Sequence, residues 1–205
     1  TATYRVYAPA GLWEIDQNGD YVVSVESNQV FDTLGNAMAE QVLGVFSVAV
    51  PQTVYAVNMD IDPGWTLQND WAWGVPAGLG EDPSSGYTGD HVMGYNLNGT
   101  YENDINAPRY ATTPAIDTSG YSHVTLSFYS WLGIEAAIWD HASIEVSNDG
   151  TNWSTVWEHT GDTVRPISWS YNEVDVSTVA DDQATVFIRW AIGTTDASIN
   201  YAGWN

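Results

Sequence analysis

Residues 121–147 read YSHVTLSFYSWLGIEAAIWDHASIEVS, and two runs inside them decide the fold class. Val124, Leu126 and Phe128 alternate with Thr125, Ser127 and Tyr129, while Ala142, Ile144 and Val146 alternate with Ser143, Glu145 and Ser147. Side chains along a strand point to opposite faces in turn, so this period of two gives each run one apolar and one polar face. Val186, Ile188, Trp190 and Ile192 repeat the pattern near the end of the chain. Strands with a single apolar face bury it against a second sheet, which predicts a two-layer β-sandwich. Between the second run and Trp153, Asn148-Asp149-Gly150 is a hairpin signal, because these residues tolerate positive φ. Helical periodicity is weak everywhere and leaves room for one turn, around Val176 to Ala180.

Working outward, the first 50 residues also read as short strands: Tyr4 to Tyr7, Gly19-Asp20-Tyr21 leading into Val23 and Val25, and Leu43 to Val50. Thr33-Leu34-Gly35-Asn36 supplies a turn between them. Residues 51–57 make a short link, and the composition changes from Asp60 onward, where ten of the 11 tryptophans lie at or beyond Trp65. The expected organisation is therefore a β unit over 1–50, a linker over 51–57 and a larger β-sandwich over 58–205.

Composition removes whole classes of function. The 205 residues contain no cysteine, which excludes thiolate metal sites, a cysteine nucleophile and a disulfide framework. Asp and Glu number 26 against four arginines and no lysine, for a formal net charge of -22. A protein gains affinity for nucleic acid by placing Lys and Arg on phosphates, so nucleic acid and anionic membrane surfaces are poor partners. Without lysine there is no Schiff-base chemistry. So many carboxylates repel one another, and bound divalent cations or external salt relieve that repulsion. No apolar run approaches the roughly 20 residues that span a bilayer, so membrane insertion is not expected. No signal peptide is present, and the strand-like start at Thr1-Ala2-Thr3-Tyr4 reads as a cut within a larger chain.

No catalytic motif emerges. His91, His123, His141 and His159 lie far apart and form no H-E-x-x-H pattern, and no G-x-S-x-G elbow exists, so no catalytic residue is assigned and the chain is expected not to be an enzyme. With 26 acids, neighbouring carboxylates occur by chance and do not define an acid–base couple. Two groups carry alternative readings. Asp60 and Asp62 precede Pro63-Gly64-Trp65, and Asn98, Glu102, Asn103 and Asp104 crowd a later loop; they are either solvated turns or oxygen ligands for calcium. An EF-hand is excluded, since the twelfth position from Asp60 is Trp71. Trp71-Ala72-Trp73 puts two indoles on one strand face, and Trp73 and Trp139 adjoin expected loops; such rings either fill the core or stack on sugars. Trp131, Trp190 and Trp204 fall within strand patterns and read as structural.

Two resemblances sharpen these alternatives. DQNGDYVVSVESNQVFDTLGNAMAEQVLGVFSVAV, residues 16–50, resembles the C-terminal half of bacterial Ig-like repeats. The segments DIDPGWTLQNDWAWGVPAG, SSGYTGDHVMGYNLNGTYEN, TTPAIDTSGYSHVTLSFYSWLGIE, DHASIEVSNDGTNWSTVWEH and INYAGWN follow one another across residues 60–205. Together they resemble MAM-like jelly-roll domains of bacterial secreted proteins, including those beside the catalytic unit of immune inhibitor A-type metallopeptidases. The resemblance implies an all-β chain: a partial Ig-like β-sandwich followed by a jelly-roll domain that lacks its last strand, since GWN is normally followed by another. It also implies structural calcium, with Asp60, Asp62, Asn98 and Glu102 as ligands and Asp140 as a further candidate. The function it implies is that of a non-catalytic extracellular accessory or adhesion module, secreted or on the cell surface, contacting neighbouring domains of its parent chain. The alternatives are a carbohydrate-binding module using Trp73 and Trp139 on polysaccharide, a subunit of a β-rich fibre that self-associates through strand edges, and an ancillary domain of a secreted protease.

Overall fold

The computed structural model describes residues 5–9 and 11–205, and the chain divides into two compact units, Thr1–Thr53 and Val54–Asn205. In the first unit, β1 (Gly19–Val25) pairs antiparallel with β2 (Gln41–Val48), with a register shift between Val23 and Ser24. Trp13 and Phe46 pack on Tyr21 with ring centroids 5.2 and 5.3 Å away, while Val22, Val42 and Val45 remain exposed. The connection turns on Asp32, whose carboxylate accepts from the Leu34 and Asn36 amides at 2.8 and 2.9 Å. The Asn36 side-chain amide, which donates to Oδ2 at 2.8 Å, and then these backbone bonds favour the ionised form and hold the Asp32 carboxyl below its ordinary range. Tyr4, expected to open the first strand, lies outside the described residues; Arg5–Tyr7 form no strand.

The second unit is an antiparallel β-sandwich. In chain order its strands are β3 (Thr66–Leu67), β4 (Trp71–Gly74), β5 (Val92–Tyr95), β6 (Arg109–Thr112), β7 (Thr125–Ser130), β8 (Leu132–Gly133), β9 (Ala142–Ser147), β10 (Ser154–Glu158), β11 (Ser170–Asp175), β12 (Phe187–Ile192) and β13 (Gly203–Trp204). One short helix, α1 (Ser177–Ala180), falls where a single turn was expected. A five-stranded sheet has the order β10-β9-β12-β6-β3, and β11 pairs with β7, β13 with β8, and β4 with β5. The alternation read from the sequence is visible as burial: Ala142, Ile144 and Val146 of β9 are buried, while Ser143 and Glu145 between them are less so. Fully burying an aliphatic side chain such as Ile144 or Ile192 contributes about 1.5–3 kcal/mol, and these residues line one continuous core.

Aromatic rings join the layers. Phe128 of β7 meets Trp190 of β12 edge-on at 5.6 Å and Trp204 of β13 at 6.5 Å, and Trp65 stacks on Trp190 at 5.0 Å. The Trp204 indole donates to the Ala191 carbonyl at 2.9 Å, so the terminal GWN segment is tied to the central strand. The loop from β9 to β10 is built on Asp149, which accepts from the Thr151 and Asn152 amides at 2.8 and 2.7 Å, and Gly150 supplies the positive φ of 71°.

The few cations are all used in contacts. Arg189 lies directly across from Glu145, with its Nε 2.7 Å from the carboxylate, and its guanidinium is sandwiched between Tyr110 and Trp153 at 3.7 and 3.8 Å. Arg109 pairs with Glu102, and Arg165 reaches Glu81 at 3.9 Å while covering the Tyr201 ring at 5.0 Å.

Candidate metal centre

Beyond β8 the strand pattern gives out, and the irregular backbone there brings three acids together. Ile134 bridges to Val164, and the following residues make one helical turn, with the Trp139 and Asp140 amides both donating to the Ala136 carbonyl, at 2.8 and 3.2 Å. The turn carries Asp140 back beside Glu135. The segment after β12 supplies Asp196, whose amide donates to Asp140 Oδ1 at 2.9 Å. One carboxylate oxygen from each of Glu135, Asp140 and Asp196 lies within 4.8 Å of the others.

Two of the three acids are buried and Asp196 is half-buried, and no ion pair among the described residues involves them. Asp140 is 0% and Glu135 8% exposed. Two like charges 4 Å apart repel by about 4 kcal/mol at an effective dielectric of 20, so three such groups need a proton or a cation among them. Burial, followed by the charges of Asp196 and Asp140, raises the Glu135 carboxyl above its ordinary value. Asp140 is fixed by Tyr101, a fully buried residue whose hydroxyl donates to Oδ2 at 2.5 Å and accepts from the Glu135 amide at 3.2 Å. Burial and then this bond to Asp140 push the Tyr101 phenol up, so it stays a neutral donor. Glu135 Oε2 is buried without any hydrogen-bond partner.

A second loop is fastened to the same place. Thr195 Oγ1 donates to the Glu102 carbonyl at 3.1 Å, and the Asp104 amide donates to the Asp196 carbonyl at 2.8 Å. Between these anchors, Asn103 Oδ1 is also buried without a partner. Orphaned buried oxygens around crowded carboxylates match the chemistry of a hard divalent cation, which takes oxygen ligands only.

The residues singled out from the sequence are distributed differently. Asp140 joins the cluster. Glu102 contributes its backbone, because its carboxylate is engaged by Arg109 and by the Tyr95 hydroxyl, which donates at 2.9 Å. Asp62 accepts from the Gly64 amide at 2.9 Å, closing its own turn, and Asp60 Oδ2 accepts from the Asn58 side chain at 2.6 Å. Asn98 is exposed in the turn closed by Asn96 and Gly99. Among the described residues, Asp60, Asp62 and Glu102 form no carboxylate group of the kind made by Glu135, Asp140 and Asp196.

Trp73 stacks on His91 at 4.5 Å, donates its indole N–H to the Met59 carbonyl at 2.8 Å and packs against the core, which leaves little of the ring free. Trp139 is 51% exposed and sits one residue before Asp140. Glu135, Asp196 and Asn103 escaped the sequence reading. The available signal was position: Glu135 and Asp196 each lie just past a strand with a glycine, in Gly133-Ile134-Glu135 and Gly193-Thr194-Thr195-Asp196.

Fold and site together define an all-β sandwich carrying an oxygen-only cluster of three acids, two of them buried. The chain is 29% identical over 168 residues to Bacillopeptidase F of Bacillus subtilis (strain 168), a match that takes in 78% of this chain and 11% of that protein. No family model matches the chain, and no solved structure matches it.

Proposed function

We propose that this chain is a non-catalytic accessory module of a larger exported peptidase, extracellular in location, whose sandwich is stabilised by calcium held by Glu135, Asp140 and Asp196. The observation that carries the reading is the unpartnered Glu135 Oε2 inside a triad of carboxylates, two of them buried, that no arginine among the described residues pairs with. Calcium accepts six to eight oxygens in flexible geometry, and Asn103 Oδ1 and loop carbonyls are the natural supplement to three carboxylates. The accessory role is supported by a match that covers only 11% of a protein named as a peptidase, together with the lack of a catalytic motif in this sequence. Among the described residues no helix is long and apolar enough to cross a membrane. The MAM-like and Ig-like assignments rest on the sequence segments that suggested them.

The test is calorimetric melting of the chain in calcium and in chelator. A ligand that binds only the native state at a hundredfold excess over its dissociation constant stabilises by about 2.7 kcal/mol, roughly 5–10 °C for a chain of this size. Glu135→Gln and Asp196→Asn are expected to abolish the shift, and magnesium to substitute poorly because of its stricter octahedral shell. A melting temperature unmoved by chelator and millimolar calcium overturns the metal assignment. Peptide hydrolysis by the isolated chain overturns the accessory one.

A further inference from the structure

The outer face of the β7–β11 pair carries aromatic rings that the core does not use. Leu126, Phe128 and Val174 turn inward and pack on the core, so the alternate residues of both strands face solvent. On that face Tyr129 lies directly across from Tyr171, with ring centroids 5.5 Å apart. Tyr87, from the loop between β4 and β5, lies parallel on Tyr129 at 3.5 Å. Trp169, just before β11, meets Tyr87 at 6.5 Å and Trp131 at 6.0 Å. The result is a continuous series of five rings in which Tyr87, Tyr129 and Tyr171 are 52%, 41% and 57% exposed. A contiguous exposed aromatic surface on a sandwich that already has a full core points to a binding role.

We propose that this series is a binding platform for an uncharged polysaccharide. A sugar ring offers an apolar C–H face to an aromatic ring and a rim of hydroxyls to polar neighbours, and the platform supplies both. Next to the Tyr129–Tyr171 pair along the same face come the cross-strand pairs Ser127–Glu173 and Thr125–Asp175, which bring hydroxyls and carboxylate acceptors. The Tyr171 hydroxyl donates to Glu173 at 2.8 Å, which fixes the ring and leaves its oxygen free to accept from a sugar. The repeating rings suit a ligand with repeating apolar faces. Charge sets the class: Arg109 and Arg189 are taken up by Glu102 and Glu145, the chain has no lysine, and Arg165, over Tyr201 and beside Glu81, is the one cation near the Trp131 end, so an acidic glycan laid along the strands meets Glu173 and Asp175. The platform shares no residue with the Glu135–Asp140–Asp196 cluster and is independent of the accessory-module reading.

The experiment is isothermal titration of the whole chain with cellohexaose, xylohexaose, laminarihexaose and chitohexaose, with a decalysine peptide for comparison. At least one hexasaccharide is expected to bind with a dissociation constant below about 1 mM. Tyr171→Ala and Trp169→Ala are each expected to weaken it about tenfold, with an unchanged melting temperature. Tyr171→Phe, which keeps the ring, is expected to retain the affinity. Raising salt from about 50 to about 500 mM is expected to leave it unchanged, as for any uncharged ligand. Failure of all four sugars to bind overturns the proposal. So does sugar binding that survives both alanine substitutions, and so does binding confined to decalysine, which would make the face a cationic-peptide surface. The calcium-dependent melting shift reads out separately and is expected in every one of these variants.

Discussion

Replacing Asp82 with asparagine isolates one buried acid whose ionisation opposes folding. Asp82 is 7% exposed; its Oδ1 accepts from the Asn205 side-chain amide at 2.9 Å, while Asp82 Oδ2 and Asn205 Oδ1 are both buried without a partner. A proton on Oδ2 turns the carboxylate into an acid able to donate, the one thing that Asn205 Oδ1 lacks. Burial raises the Asp82 carboxyl from 3.8 to about 6, against the smaller opposing effects of the Asn205 and Gly99 hydrogen bonds. The folded state thus holds this proton more tightly than the unfolded chain. Its stabilising contribution is complete below the unfolded value and is lost as pH rises through about 6. Moving the carboxyl from 3.8 to about 6, at roughly 1.4 kcal/mol for each tenfold change in proton affinity, amounts to about 3 kcal/mol. Urea unfolding followed by tryptophan fluorescence, run on the wild type and Asp82→Asn side by side, subtracts every other titrating group. Between about pH 4 and about pH 7.5 the wild type is expected to lose about 2 kcal/mol relative to the variant, the remainder lying below that window. A difference constant to within about 0.5 kcal/mol across the window would refute the assignment of Asp82 as a buried, proton-retaining acid.

Two further outcomes are expected. Glu145→Gln removes the charge partner of Arg189 between Tyr110 and Trp153, and because the pair is only partly exposed the expected loss in urea unfolding is about 2 kcal/mol, below the range for fully buried pairs. Gly94→Ala places a methyl 2.6 Å from Leu97 Cδ2 and 2.7 Å from Asn205 Oδ1, so a loss of about 1–3 kcal/mol is expected in the same assay, and a neutral result would mean that the β5–β13 approach is loose.

The comparison of sequence with structure divides along the line between regular and irregular backbone. β7, β9 and β12 were legible because a buried face writes a period of two into the sequence, and the hairpin at Asn148-Asp149-Gly150 was legible because positive φ selects its residues. The acid cluster was only partly legible. Asp140 was singled out, but its partners Glu135 and Asp196 stand five residues before and 56 after it, outside any period, and only the pairing of β9 with β12 brings those ends together. Glu102 looked like a ligand by its company in the loop, and Arg109, a strand residue seven positions on, claims its carboxylate instead. The exposed ring series was hidden for a related reason: Tyr87, Tyr129 and Trp169 come from three separate segments, and each alone reads as an ordinary core or surface aromatic.

The way the arginines are held bears on how the chain resists cleavage. Endopeptidases that cleave after basic residues meet four arginines in this chain and no lysine. Arg189 lies in the middle strand of the five-stranded sheet and Arg109 opens the strand beside it, so neither backbone can enter an extended active-site cleft without unfolding. Arg165 is followed by Pro166, a bond such enzymes leave intact. Only the exposed Arg5–Val6 bond is open to them, and cutting there leaves the whole sandwich in one piece.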